Sequence, residues 1–521
     1  MIRLLCSVGF LLGIHSIGFG QLLSPEELET KPKFYSIDNA YIQKDSAYRL
    51  RVFKRANTFS AMVLNMHNLQ DLTMNSLRLE SLPDEITKLA LLQKLSLRSN
   101  KLKEVNPNLS KLAHLRHLDL NGNRLESLPE ELGNLTTLEH LDVGKNRFIY
   151  YLPTGVYNCT SLKFLGANKI KLQSIPDSIG DLTALEHLDL SRNKLTVFQV
   201  SMENLVNLKY LNLGHNPIEE PAKIYKWLDK ITGIETLLLD GLGLPKVSKV
   251  IKKYKNLSVF SIRLNKIKEL PLDLFELTQL EYLDLGANII DSLPDELSKL
   301  ENLTFLSLER NEFTKVPAVI GKLTKLQELE LGVNRITELP SELGKLKQLE
   351  KLIVSNTGLK GLPTSLGDLE NLEYLDIAFN RYMSPYKSVG ALRKLQNLKY
   401  LNMRESRYKK LPDGFTELSA LEDWDLRDNQ LQVLPDSIGN LQNLKKLDLR
   451  YNELKTIPES IGQLKNLEEL NLGYNKLKSL PESIKNIPQL RLLRLERNKL
   501  SEEEQAKIRE WLPNTKILFK H

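Results

Sequence analysis

The sequence repeats itself at a nearly constant interval over most of its length. From Leu69 to Leu500 it can be written as successive copies of the pattern LxxLxLxxNxLxxLPxxIxxLxx. The Asn position of this pattern can be followed through nineteen copies, and fifteen of the eighteen intervals between copies are 23 residues, one is 24 and two are 26. A chain of 521 residues with such a period is expected to fold as a stack of small, similar units rather than as several unrelated domains.

The spacing within one copy indicates a short strand with one buried face. In Leu95-Ser96-Leu97 apolar and polar residues alternate, and the leucines recur in register from copy to copy. Each copy can therefore stack its apolar edge on the next and share a core that no single copy could build. We expect the Asn side chain, such as that of Asn100, to turn inward after the strand and to bond backbone groups of the turn that would otherwise be buried without partners.

A period of 23 residues with this spacing resembles the leucine-rich repeat family. The segment Leu128-Pro129-Glu130-Glu131-Leu132-Gly133 is most similar to the LPxxI type of repeat, as in Ras-scaffold-type proteins and bacterial secreted relatives. The resemblance implies an α/β fold: a leucine-rich repeat solenoid, shaped as a curved horseshoe, with a parallel β-sheet on the concave side and a helical or irregular convex side. Because the family shares a scaffold rather than a ligand, the resemblance predicts the fold more strongly than the function.

Five copies have lost the Asn, and three of these losses end the irregular intervals, whereas Leu77 opens the array and Thr357 lies in regular spacing. Extra residues lie around Pro221–Leu237 and Tyr382–Leu395, before two of the five positions. Two interpretations remain open: harmless drift in repeat length, or hinges and secondary contact sites. The five positions are Leu77, Ile170, Leu242, Thr357 and Ser406.

The first 20 residues have the layout of a cleavable signal peptide. One charge, at Arg3, precedes an apolar run over Leu4–Leu12, and small residues follow at Gly18 and Gly20. No later stretch approaches the ~18 uninterrupted apolar residues of a membrane span. We therefore expect an exported protein, periplasmic or extracellular, from a bacterial source, with no membrane span in the mature chain.

The sequence on either side of the repeats predicts two caps. Residues 21–68 are expected to form an N-terminal cap with a short helix over Phe34–Lys44 and a divergent first strand over Tyr48–Val52. Residues 69–500 contain the repeats. Residues 501–521 are expected to form a C-terminal cap, because Ser501 and the three glutamates after it are typical of a helix start. That helix would end at Pro513, and a last strand would follow over Lys516–Lys520.

Composition and motifs exclude several classes of function. The net charge of +7, from 72 basic and 65 acidic residues, is spread along the chain and gives no nucleic-acid footprint. Two cysteines rule out a disulfide scaffold, and Cys159 occupies a column otherwise held by leucine, which predicts a buried thiol. The sequence has no phosphate loop, HExxH, GxSxG or metal-spaced cysteine pair, so no cofactor and no metal are predicted.

The position just before the second strand leucine should point away from the core, onto the concave face. Six of its nineteen residues are Phe or Tyr, about a third, against 7% aromatic residues in the whole chain. Aromatic side chains are enriched at binding hot spots, but they also favour strands and pack on one another across sheets. Both interpretations stay open for these six residues: Phe164, Tyr210, Tyr282, Phe305, Tyr374 and Tyr400.

Two further groups on this face carry possible chemistry. His117, His140 and His187 each precede an Asp by two residues, but Phe164 separates His187 from the other two, so we favour an ordinary surface ladder over a metal site. Arg404, Arg427 and Arg450 occupy one column in three consecutive repeats, beside Asp425 and Asp448. They are expected to form either a self-neutralising ladder or a site for an anion or carboxylate.

These features favour a non-enzymatic binding module whose concave sheet docks a protein, a peptide or a glycan. A rigid sheet with variable side chains suits recognition, and the sequence supplies no nucleophile with an adjacent base. The alternative is an enzyme or enzyme-regulating subunit that uses the His/Asp ladder or an unrecognised site in a cap.

Overall fold

A computed structural model of the protein describes residues 21–53, 58–197 and 202–520. The predicted signal peptide lies outside the described residues. The chain divides into two compact units, Met1–Leu208 and Lys209–His521.

The first unit is a parallel sheet of short strands, each hydrogen-bonded to the next one along the chain. The strands are β1 (Lys33–Phe34), β2 (Arg49–Arg51), β3 (Asp71–Thr73), β4 (Lys94–Ser96), β5 (His117–Asp119), β6 (His140–Asp142), β7 (Phe164–Gly166) and β8 (His187–Asp189). Three short helices accompany the first strands: α1 (Pro25–Thr30), α2 (Ile37–Ile42) and α3 (Ala61–Leu64).

The second unit continues the same plan, again with every strand parallel to its neighbour. Its strands are β9 (Tyr210–Asn212), β10 (Thr236–Leu238), β11 (Val259–Ser261), β12 (Tyr282–Asp284), β13 (Phe305–Ser307), β14 (Glu328–Glu330), β15 (Lys351–Ile353), β16 (Tyr374–Asp376), β17 (Tyr400–Asn402), β18 (Asp423–Asp425), β19 (Lys446–Asp448), β20 (Glu469–Asn471), β21 (Leu492–Arg494) and β22 (Lys516–Leu518). Its helices are α4 (Ile224–Leu228), α5 (Pro385–Leu392) and α6 (Glu502–Trp511).

The return segments are mostly single turns of 3₁₀-helix rather than α-helix. Many begin directly after the recurrent proline, as Glu130–Asn134 does after Pro129. Proline suits this place because its fixed φ starts the turn and it cannot extend the sheet. The inward-pointing leucines of the repeat pattern are fully buried between the two layers, including Leu95 and Leu285. The core is therefore one continuous apolar layer within each unit.

The predicted role of the Asn column is confirmed. The side-chain amide nitrogen of Asn288 donates to the carbonyl oxygens of Ile262 and Leu285, and its oxygen accepts from the N–H of Ile267 at 3.0 Å. Asn311 makes the equivalent bonds one repeat later, and both side chains are buried. Each Asn thus ties its own turn to the preceding repeat and satisfies backbone groups that water cannot reach.

Where the Asn is lost, the next repeat compensates. Asn429 accepts from the N–H of Ser406 as well as from that of Tyr408, and Asn193 bonds Ile170 and Leu172 in the same way. In these copies the residue after the lost Asn also adopts a left-handed backbone, as Arg407 does with φ 61°. The loss therefore changes the local turn without leaving the buried N–H groups unpaired.

The return segments of the two 26-residue intervals contain α-helices. One such interval contains α4, preceded by the 3₁₀ turn Pro221–Lys223, and the other contains α5. Both places are therefore locally rebuilt return segments.

The N-terminal residues differ in detail from the prediction. The expected helix over Phe34–Lys44 is shorter, because Lys33 and Phe34 pair with β2 and Ser36 then caps α2. The sequence reasoning also missed α1 and α3. At the other end, the Ser501 hydroxyl accepts from the N–H of Glu504 at the start of α6. Among the described residues, no helix is both long enough and apolar enough to cross a membrane.

Candidate functional site

The outward-facing strand positions form in-register columns on the face of the sheet opposite the core, here called the solvent-side face. Tyr282 lies beside Phe305 and Tyr374 beside Tyr400 in the strand pairing. All four side chains are half-buried. Parallel neighbours roughly 4.8 Å apart bring such rings within stacking distance.

The predicted aromatic stripe is divided into separate stacks. The rings of Tyr282 and Phe305 lie 4.2 Å apart between centroids, and those of Tyr374 and Tyr400 lie 4.4 Å apart. Tyr210 is in the same column, but Thr236 and Val259 occupy the two strands between it and Tyr282. In the described part of this column, the second unit thus carries two stacked aromatic pairs, with Tyr210 apart from them.

The two aromatic pairs are joined by an ion pair in the same column. The Lys351 ammonium lies 3.1 Å from a carboxylate oxygen of Glu328 and 5.8 Å from the ring centroid of Tyr374. The sequence Tyr282, Phe305, Glu328, Lys351, Tyr374, Tyr400 therefore runs unbroken over six neighbouring strands, from β12 to β17. We call this set of residues the aromatic column.

Carboxylates lie at the next outward position: Asp284 and Asp376 beside the aromatic column, and Asp425 on the strand that follows it. Burial raises the pKa of Asp284 to about 6, and the same cause raises the pKa of Asp425 to about 6 and that of Asp376 by less. Asp284 and Asp425 are each 8% exposed. These groups are partly desolvated acids, so a nearby cation would favour their ionised form.

Phe164 belongs to a different environment in the first unit. Its ring is stacked between those of His140 and His187, at 4.0 and 4.2 Å, and His140 stacks on His117 at 4.0 Å. Burial lowers the pKa of His117 to about 3 and that of His140 to about 4, and it also lowers the pKa of His187. The imidazoles are therefore neutral at physiological pH and pack as flat rings.

This stacking argues against the metal interpretation of the His/Asp ladder. Rings stacked face to face hold their nitrogens side by side, and Phe164 interrupts the set. Within the described ranges, no group of three or more His, Cys, Asp or Glu side chains could hold a metal ion.

The three arginines of the predicted ladder make mostly local contacts. Arg427 lies 3.2 Å from a carboxylate oxygen of Asp425, and Arg450 lies 4.0 Å from one of Asp448. Arg404 lies over the ring of Phe379, 4.9 Å from its centroid. Two of the three are thus paired with acids of their own repeats, as a self-neutralising ladder requires, and Arg404 keeps the most freedom to meet an anion.

A cavity of about 210 Å³ adjoins the end of the aromatic column. Sequence reasoning missed it, because a repeat pattern does not show where side chains of neighbouring strands leave a space between them. It is lined by Tyr400, Asp423, Asp425, Lys446, Leu447, Asp448, Glu469, Leu470, Asn471, Leu492 and Arg494.

Cys159 is fully buried, as its column predicted. Its sulfur lies 3.4 Å from the carbonyl oxygen of Leu132, and burial raises the pKa of the thiol to about 11. The thiol is therefore a packing group of the first unit.

The comparison with protein families agrees with this architecture. A profile described as "Leucine-rich repeat region" matches residues 106–263, 245–335 and 384–518, and one described as "Leucine rich repeat" matches residues 324–381. The chain belongs to the leucine-rich repeat family, and its fold is that of a leucine-rich repeat solenoid. No curated protein matches the sequence at a significant level.

Solved structures with the same fold come from plants and bacteria. The ectodomain of the Arabidopsis receptor kinase HAESA, in complex with an extended IDA peptide hormone, is 27% identical with a TM-score of 0.57, over 87% of this chain and 79% of that one. An internalin from Listeria monocytogenes is 20% identical with a TM-score of 0.50, over 65% and 87%. A leucine-rich repeat protein of Leptospira interrogans is 26% identical with a TM-score of 0.44, over 94% and 100%.

Proposed function

We propose that this protein is an exported, non-enzymatic binding protein that docks a protein or peptide partner on the solvent-side face of its sheet. The observation that carries the proposal is the aromatic column, in which two stacked aromatic pairs flank the Glu328–Lys351 ion pair. Rigid, half-exposed aromatic rings give a partner large contact area at low cost in conformational entropy.

The dimensions of the aromatic column suit a peptide segment. Five strand spacings separate Tyr282 from Tyr400, which corresponds to roughly 24 Å at ~4.8 Å per strand. An extended peptide of about seven residues covers that length at ~3.3 Å per residue. A segment crossing the strands could place one apolar side chain on each aromatic pair.

The carboxylates beside the column indicate the charge that the partner should carry. Arg263, at 3.8 Å, and Arg427, at 3.2 Å, offset only part of the desolvation of Asp284 and Asp425, so ionisation of these acids still costs folding free energy at neutral pH. A basic side chain of the partner would recover that cost by pairing with them. The preferred partner is therefore a segment that combines apolar and basic residues.

The remaining predicted binding residues are expected to contribute less to binding of the partner. Arg404, Arg427 and Arg450 lie on the same face near the cavity of about 210 Å³ and would meet acidic or terminal carboxylate groups of a longer partner. Tyr210 and Phe164 lie outside the aromatic column, so we expect them to contribute less.

The HAESA ectodomain supports a peptide ligand as the class of partner, because it shares this fold at 27% identity and was crystallised with a peptide hormone. Export rests on the signal-like residues 1–20, with a mature chain expected to start at Gln21. The enzymatic alternative gains no support from the His/Asp ladder, because its rings are stacked and neutral.

The experiment is a footprint of the bound partner. Mature protein is used to capture partners from the surface and medium fractions of the source organism, and the complex is compared with free protein by amide hydrogen exchange. We expect protection concentrated on β12 to β17. Protection confined to the return segments, with the sheet unchanged, would contradict the proposal.

A further inference from the structure

A second cavity, of about 540 Å³, opens beside the first turn of α5. Its lining comes from three successive repeats, through residues 381–386, residues 406–410 and Gln432. It shares no lining residue with the cavity at the end of the aromatic column. It therefore forms a separate feature, located where the longer repeat replaces its 3₁₀ turn by a helix.

The charged groups that line this cavity are all basic. Arg381, Arg407, Lys409 and Lys410 are exposed, and no acidic residue contributes to the lining. Among the described residues, none of these four side chains has a carboxylate within ion-pair distance. Other lysines of the unit, such as Lys399 with Glu373, are paired across repeats. The cavity thus concentrates positive charge that the described chain does not neutralise by direct pairing.

Two acidic groups close to this site face an adjoining cavity of about 440 Å³. Arg381 and Arg407 line both cavities, whereas Glu405, Asp428 and Tyr451 line only the second. Glu405 and Asp428 form no ion pair with the two arginines. They moderate the positive charge on the side of the two arginines. Glu453, which is paired with Lys476, also attracts Lys409, but the lining of the first cavity itself carries only basic charges.

Aromatic groups at the rim provide contact area. Tyr382 is 78% exposed and Tyr386 is 62% exposed, while Met383 and Tyr408 are buried beneath them. Large aromatic side chains left this open beside unpaired cations are typical of interaction sites.

The backbone at Arg407 is held in a conformation that arginine does not favour. Arg407 and Glu405 have φ of 61° and 50°, on either side of Ser406, which replaces the Asn of this repeat. In the copy that lacks Asn at Leu242, the two equivalent positions are Gly241 and Gly243, which adopt positive φ without a side-chain clash. The same backbone occurs at Arg78 and Lys171, which also follow a lost Asn, so the left-handed φ of Arg407 is a feature of these repeats and a glycine is compatible with it.

The basic residues form a compact spot rather than a long track. In the following repeat the equivalent positions are Gln430 and Gln432, so the positive charge ends there. An extended polyanion such as a sulfated polysaccharide would gain from a continuous track over many repeats. A compact spot with exposed aromatic rings instead suits a few carboxylates and an apolar side chain of one short segment.

We propose that this cavity binds a short acidic segment of a polypeptide. Arg381, Arg407, Lys409 and Lys410 would receive its carboxylates, and an aromatic or apolar side chain of the segment would lie against Tyr382 and Tyr386. This goes beyond the proposed function, because the site lies apart from the aromatic column and takes a ligand of opposite charge.

The test measures anisotropy of a fluorescein-labelled peptide built from Glu-Glu-Tyr repeats, titrated with the full mature protein. We expect binding that weakens with added salt, and a loss of roughly tenfold or more in the double variant Arg407→Gly with Lys409→Gln. Arg407→Gly should preserve the fold because it relieves a positive φ. Tyr382→Ala with Tyr386→Ala should also weaken binding although it leaves the charge unchanged.

The matched control removes two exposed lysines from return segments elsewhere in the same unit, as Lys322→Gln with Lys345→Gln. Peptide binding should be unchanged in this lysine control. It should also be unchanged in Tyr282→Ala with Phe305→Ala, so the experiment can distinguish a failure of this inference from a failure of the proposed function. An equal loss of peptide affinity in the lysine control would show that binding depends only on the overall charge of the protein. That result would overturn the proposal. Absence of peptide binding, or binding of heparin in its place through the same residues, would also overturn it.

Discussion

The side-chain oxygen of Asn288 accepts a hydrogen bond from the N–H of Ile267 in the preceding repeat, at 3.0 Å. The amide nitrogen of the same side chain donates to three carbonyls, so one buried residue satisfies four backbone groups. Repeats of this kind contact mainly their neighbours, and such a side chain therefore links two adjacent parts of the core.

Asn288→Ala should consequently destabilise the second unit. The substitution leaves buried backbone groups unpaired, and we expect a cost of about 1–3 kcal/mol in the free energy of unfolding. Denaturant melts against Lys345→Ala, an exposed return-segment residue, provide the measurement and its control. Equal tolerance of the two substitutions would show that the Asn bonds are not needed for stability.

The stacked histidines predict sensitivity to acid in the first unit. His140 has a folded pKa of about 4 against about 6.5 when unfolded, so the unfolded chain binds more protons between these values. The neutral His140 makes its full contribution to the free energy of unfolding above about pH 6.5, and this contribution is lost as the pH falls toward 4.

His140→Phe should keep the ring stack, because Phe164 already occupies the next position. We expect little change at pH 7.5 and a gain of about 1–2 kcal/mol over the parent at pH 5, measured by thermal or denaturant melts at both values. A gain of the same size at both pH values would mean that packing, and not protonation, distinguishes the two side chains.

Asp284 predicts a pH dependence of the opposite sign. Its folded pKa of about 6 is above the unfolded value near 3.8, so the folded chain binds more protons in that window and stability falls as the pH rises from about 4 to 6. Asp284→Asn removes the buried charge and keeps an acceptor for the N–H of Gly286. The variant should be more stable by about 1–2 kcal/mol at pH 8, with the gain disappearing near pH 4.

The exposed Asp291→Asn serves as the control for that experiment, and it should show no such trend. If Asp284→Asn is neutral or destabilising at pH 8, the carboxylate is not under strain in the free protein. The argument that a basic partner recovers its cost would then be wrong.

The repeat pattern predicted the architecture because the period itself determines it. Register between copies fixes the leucine core and the Asn bonds, as Asn288 and Leu285 show. The repeat pattern could not predict α5 or the cavity beside it. Three extra residues change the return segment at this place, and the regular copies contain no such segment. The N-terminal helix also began later than expected, since strand pairing of Lys33 and Phe34 outweighs local helix preference.

Side-chain neighbours on the solvent-side face were predictable only in part. The columns follow from the register, so the stacking of Tyr374 on Tyr400 is a consequence of the sequence. The partial desolvation of Asp284 and Asp425 depends on how the neighbouring side chains fold over them, which a one-dimensional pattern does not contain. The division of the predicted stripe into separate stacks follows from the non-aromatic residues Thr236 and Val259.

The measurement that most directly tests the proposed function is the dissociation constant of a captured, purified partner for the double variant Tyr282→Ala with Phe305→Ala. Thr236→Ala with Val259→Ala, in the same column on neighbouring strands, is the matched control. We expect the aromatic variant to lose ~2 kcal/mol or more of binding free energy, about thirtyfold in Kd, with a nearly unchanged melting curve, and the control to bind as the parent does. A variant that loses stability but keeps its partner at parental affinity would contradict the account, because the aromatic column would then be packing alone.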